Sequence, residues 1–165
     1  MSKLISNKEY GKKMFDNAGS SNEQQFGSFY LSRLLGFNVS YRDNLCIVDF
    51  EAIPTMFNPQ GSLHGGIIAT AMDISMGHLL HHTTGSASTL EMNVKFLLPI
   101  VAERVTCKGS FLRQGRSISF LQSHMYKQNG KLAAYASATW KPLKDNNNEE
   151  QKGFNRRVEI QVLKK

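Results

Sequence analysis

The longest apolar stretch of the chain, Gly65 to about His82 (GGIIATAMDISMGHLLHH), carries nonpolar residues on nearly every side of a helical turn. Such a helix has no solvent face, so the pattern predicts that it lies inside the fold. Four runs with the two-residue period of strands come after it. Leu90, Met92, Val94 and Phe96 alternate with Thr89, Glu91, Asn93 and Lys95, and Pro99 ends the run. Val105, Cys107, Gly109 and Phe111 alternate up to a turn at Gln114-Gly115-Arg116. Ile118, Phe120, Gln122 and His124 make the next run, and the Asn129-Gly130 pair beyond it is a strong hairpin signal. Leu132, Ala134, Ala136, Ala138 and Trp140 complete the series up to Pro142. Consecutive runs joined by tight turns predict an antiparallel meander.

Ahead of the apolar helix, Phe26, Phe29, Tyr30, Leu34 and Leu35 recur at helical spacing, which predicts a helix from Asn22 to Leu35 stopped by Gly36. Phe37, Val39 and Tyr41, then Arg42-Asp43-Asn44, then Cys46, Val48 and Phe50 read as a hairpin closed by Pro54. Residues 1–21 are polar and are expected to form a loosely ordered lead-in. Lys144 to Gln151 (KDNNNEEQ) reads as a polar linker. Val158, Ile160 and Val162 alternate beyond it and can add an edge strand to the body formed by 22–142. One buried helix with about five or six antiparallel strands predicts an α+β domain whose curved sheet wraps the helix.

Within that helix Asp73 stands out, because a carboxylate among apolar residues is costly to bury without a partner. It shares a face with Thr70 and Gly77, so it is a catalytic candidate, or else an acid at an exposed gap or bonded to a neighbouring hydroxyl. The segment Asn58-x-x-Gly61-x-x-His64-Gly65-Gly66 leads into the helix start. The first N–H groups of a helix lack internal partners, and a Gly-Gly pair lets a ligand approach them. Such a terminus suits an anion or the developing oxyanion of acyl transfer, and equally a plain turn. His78 and His82 stand at the four-residue spacing of a zinc pair, but no third ligand accompanies them, so no metal is expected.

Taken together, N-P-Q-G-S-L-H-G-G-I-I-A-T-A-M-D over residues 58–73 resembles the signature of the hot-dog-fold thioesterases. The branch is the PaaI-like one, named for phenylacetyl-CoA thioesterase. T-L-E-M-N-V-K-F-L-L-P, G-R-S-I-S-F and N-G-K-L-A-A-Y-A-S-A-T are similar to its later strands, so the resemblance covers about residues 25–142. It implies the hot-dog fold and hydrolysis of an acyl thioester, with coenzyme A entering as part of the substrate and not as a cofactor. Asp73 would be the general base on water, or a nucleophile, and the Gly65 N–H would polarise the thioester oxygen. Asn58 would hold water or substrate, His64 would brace the loop and could contact the thioester, and Thr89 would bond the attacking water. Arg116, with Gly66 and Arg113, would meet the coenzyme A moiety, and Lys95 is a weaker candidate. Family members form dimers, or dimers of dimers, so Asp73 of one subunit would face Asn58 and Gly65 of the other. Other branches hydrate or dehydrate acyl thioesters, and some members of this fold only bind acyl-CoA. Asp73 following His-Gly-Gly favours hydrolysis over both. Met56, Phe57, Met76, Leu79 and Leu80 can line an acyl pocket or simply fill the core.

Composition adds limits. A chain of 165 residues suits one domain, and no run approaches the about eighteen apolar residues that span a bilayer. The N-terminal residues lack the apolar segment of a secretory signal, and both features point to the cytoplasm. Cys46 and Cys107 fall in strand-like runs and are expected to be small buried thiols. The net charge of +7 is spread along the chain, with no nucleic-acid-binding motif. A phosphate-bearing small molecule is the expected partner, with no nucleic acid and no membrane.

Overall fold

The computed structural model describes residues 7–143. Strands β1 (Asn38–Arg42), β2 (Leu45–Glu51), β3 (Ala87–Phe96), β4 (Arg104–Arg113), β5 (Ser119–Lys127) and β6 (Leu132–Pro142) form one antiparallel sheet. Their order is β1-β2-β4-β5-β6-β3, which leaves β3 at an edge. Helices α1 (Asn7–Gly19) and α2 (Tyr30–Leu34) precede the sheet, and α3 (Gly65–Thr84) packs on one face of it. This is the hot-dog arrangement expected from the sequence. Among the described residues no helix is long and apolar enough to cross a membrane.

The core lies between α3 and the inward residues of the strands. Met72, Met76, Leu79 and Leu80 of α3 are almost completely buried against Val48, Cys107, Leu121 and Met125. Each such side chain contributes about 1.5–3 kcal/mol by leaving water. Two glycines set how closely helix and sheet approach. A Cβ at Gly77 would lie 2.6 Å from the Trp140 ring, and one at Gly109 would strike the Ser75 carbonyl. Ser75, Ser123 and Cys107 fill the space beside Gly109 as a buried polar knot, with the two hydroxyls 2.8 Å apart and the thiol 3.0 Å from Ser123. Burial pushes the Cys46 thiol up to about 12 and the Cys107 thiol to about 11, so both stay protonated.

Three local expectations are corrected. Residues 7–19 do not trail loosely but form α1, which packs on α2 and buries Ala18. The helix expected from Asn22 runs only from Tyr30 to Leu34. Gly27, at φ 87°, and a bridge between Gln25 and Ser28 break the earlier turns. The Arg33 guanidinium then organises the segment by donating to the carbonyls of Ala18, Ser21, Glu23 and Ser28. In β5 the intervening residues Ser119, Leu121, Ser123 and Met125 face the core, while Phe120 is exposed. The candidate linker and edge strand beyond Leu143 lie outside the described residues.

Candidate active site

The segment before α3 is a tight loop. Asn58 Oδ1 accepts from the N–H groups of Gln60 (3.0 Å) and Ser62 (3.3 Å), and its amide donates to Ser62 Oγ at 3.1 Å. Asn58 thus holds its own turn together, so its side chain is engaged in positioning the loop where the sequence suggested a hold on water or substrate. Gly61, at φ 83°, supplies the left-handed residue that the turn needs. The loop then docks by the Leu63 N–H on the Ile100 carbonyl (2.8 Å) and the His64 N–H on the Met56 carbonyl (2.9 Å).

His64 caps α3. Its extended backbone precedes the first helical residue, and its Nδ1 accepts the Gly66 N–H at 2.9 Å. Gly66, expected to meet coenzyme A, therefore has its N–H occupied. The Gly65 N–H, at the first helical position, has no acceptor within the helix and is the donor free for a ligand. A Cβ at Gly66 would sit 3.1 Å from His64 Nδ1, so a side chain there would disturb the cap.

Asp73 lies two turns further along α3 and is half-buried. Its Oδ1 accepts from Thr89 Oγ1 of β3 at 3.0 Å. Of the two bland alternatives, the bond to a hydroxyl holds, but the hydroxyl comes from the facing strand. Thr70, on the helix itself, donates instead to the Gly66 carbonyl at 2.8 Å. Burial raises the Asp73 carboxyl above the ordinary range, and the Thr89 bond opposes that rise in part. Thr89 adjoins a β-bulge, where the pairing with β6 shifts between Thr89 and Glu91, and bulges re-aim side chains beside functional sites. One Asp73 oxygen is held, and the other is left for a proton or a water.

The other candidates are scattered. Arg113 and Arg116 are exposed near the β4–β5 turn, and Lys95 is exposed on β3. Met56, Met76, Leu79 and Leu80 are core residues, with Phe57 partly buried beside them. The three histidines of α3 each meet an aromatic ring. His78 Nε2 accepts the Gly27 N–H at 2.9 Å, His81 stacks on Phe26 at 3.4 Å, and His82 stacks on Tyr41 at 4.2 Å. Burial brings the His78 pKa down to about 4, which keeps it neutral and able to accept. A depression of about 520 Å³ lies among Arg104, Thr106, Lys108, Tyr126 and Lys127. Its β4 residues alternate with those that pack on α3, so it opens on the face of the sheet turned away from Asp73. Two contacts at α3 had no signal in the sequence: the Phe96 ring against Gly65, and the Trp140 ring against Gly77.

Residues 60–134, which carry the end of the loop, α3, strands β3 to β5 and the start of β6, match the family model described as the thioesterase superfamily. Over that span the chain is similar to the thioesterase superfamily. The chain is 36% identical over 83 residues to a candidate esterase of Saccharolobus solfataricus, a match covering 48% of the chain and 59% of that protein. It is 28% identical over 128 residues to the medium/long-chain acyl-CoA thioesterase YigI of Escherichia coli, covering 66% of the chain and 83% of YigI. The PaaI protein of the Escherichia coli phenylacetic acid degradation operon shares its fold, with a TM-score of 0.68 at 18% identity over 81% of this chain and 96% of PaaI.

Proposed function

We propose that the protein hydrolyses an acyl thioester, with acyl-CoA as the substrate class, to a free acid and a thiol. The observation that carries this reading is the half-buried Asp73 carboxylate, held at one oxygen by Thr89 on an otherwise apolar helix. The free oxygen takes a proton from water, and the resulting hydroxide attacks the thioester carbonyl. The carbonyl oxygen becomes an oxyanion and accepts from the Gly65 N–H. Collapse breaks the carbon–sulfur bond, and the proton returns from Asp73 to the departing thiolate. A carboxyl raised by burial is a better base near neutral pH than an ordinary one.

Gly65 and Asp73 stand eight residues apart on one helix, about 12 Å along its axis. One substrate carbonyl does not reach both within a single chain, so the complete site takes Gly65 from one copy and Asp73 from another. The open edge of β3, beside Thr89, suits the joining of two sheets, as a dimer or a dimer of dimers. Arg116 and Arg113 are the cations we assign to the phosphates of coenzyme A, by fork geometry.

The deciding experiment is release of free thiol from aromatic, short, medium and long acyl-CoAs, read with a thiol-reactive dye. Turnover on at least one class is expected. Tight acyl-CoA binding with no release across the whole panel would overturn hydrolysis in favour of a binding module.

A further inference from the structure

We propose that Phe96, with Leu97 and Leu98, is the specificity-determining seat for the acyl group beside the reacting carbonyl. This inference rests on the thioesterase reading and assigns residues to its acyl side. The Phe96 ring lies on Gly65, with its Cζ 3.3 Å and its Cε1 3.4 Å from where a Cβ would be. It therefore borders the one N–H at the helix start that no internal bond occupies. The ring is nonetheless 56% exposed, with Leu97 at 50% and Leu98 at 40%. Three consecutive large apolar residues open to solvent are unusual on a protein surface.

Their exposure does not come from loose backbone. The N–H groups of Leu97 and Leu98 both bond the Ala133 carbonyl, at 2.8 and 3.1 Å. Two residues on, the Ile100 carbonyl accepts from Leu63, the residue just before the His64 cap. The segment is thus fastened to β6 on one side and to the loop of the oxyanion donor on the other. An apolar lip held rigidly next to a polar donor matches a ligand with a polar carbonyl and an apolar tail. Glycine at position 65 is what admits the ring, so the residue whose N–H is free also places the lip. The pantetheine side of the substrate carries polar amides and fits this lip less well, so the occupant is the acyl chain.

The test compares wild type, Phe96→Ala and Phe96→Leu on acetyl-CoA and decanoyl-CoA, with light scattering on each variant. For Phe96→Ala, kcat/KM on decanoyl-CoA is expected to fall about ten-fold or more, carried by KM. Acetyl-CoA should stay within about two-fold, and Phe96→Leu should fall in between. A Phe96→Ala loss equal on both substrates would overturn the acyl seat and leave the hydrolase reading intact. Conversion of Phe96→Ala to a smaller assembly with uniform loss would make the ring a subunit contact, which also overturns it. If wild type neither hydrolyses these two thioesters nor binds the non-hydrolysable decyl-CoA thioether, this inference fails, while the hydrolase reading is decided by the full acyl-CoA panel.

Discussion

At the level of single residues, half-buried Asp73 and buried His78 are two ionisable groups with opposite duties. Asp73→Asn keeps the shape and removes the proton acceptor, so kcat is expected to fall by at least about a hundred-fold. Stability moves the other way. A carboxyl whose folded pKa is raised destabilises the fold when ionised, fully above that raised value and not at all below the ordinary carboxylate range. The variant should therefore melt higher than wild type at neutral pH, and the gap should close on acidification. Thermal midpoints across pH, beside kcat, check both halves. His78 has its folded pKa depressed to about 4, so its neutral form stabilises fully above about pH 6.5, and that stability drains as pH falls toward 4. His78→Phe leaves the Gly27 N–H without its acceptor and should cost about 1–3 kcal/mol near neutrality. The same variant should lose most of the melting-temperature slope between those pH values. A third histidine is fixed in its tautomer: because His64 Nδ1 accepts from Gly66, the neutral ring carries its proton on Nε2. Nitrogen NMR shifts of the imidazole would report it directly.

At the level of elements, the helix and strands with strong periods were legible, and those built by tertiary contacts were not. The alternation of β2 and β6 followed from apolar spacing because each buries one consistent face, and α3 from an apolar run that is buried on most sides. The phase of β5 was hidden, since two of its inward residues are serines, one of them satisfied by Ser75 and Cys107 across the core. The segment between α1 and α2 is held by one guanidinium reaching four carbonyls, which no local pattern records. The candidate site divides in the same way. Asp73, His64, Gly65 and Asn58 were visible as a motif, whereas the bonds of the Asn58 side chain within its own turn were not. Glycine placement leads to a prediction at this scale. Gly77→Ala should destabilise by about 1–3 kcal/mol, because the Trp140 indole must shift. Gly109→Ala should cost more, because the obstacle is the α3 backbone and not a side chain that can rotate. Denaturant unfolding of the two variants, compared side by side, tests that order.

At the level of the whole molecule, the proposed assembly is at least a dimer at micromolar concentration. Light scattering coupled to size exclusion checks it, and a monomer with full activity would remove the shared site. The spacing of Gly65 and Asp73 along α3 has one more consequence, which is genetic in form. Asp73→Asn chains lack the base, and chains disabled at the His64 cap lack a formed oxyanion donor, so each is poor alone. In a mixed dimer one of the two sites draws Asp73 from the second chain and an intact helix start from the first. After the two inactive proteins are unfolded together and refolded at equal amounts, about a quarter of all sites should be whole. Two dead enzymes would complement each other in one tube, and no such rescue would appear if each chain carried its site alone.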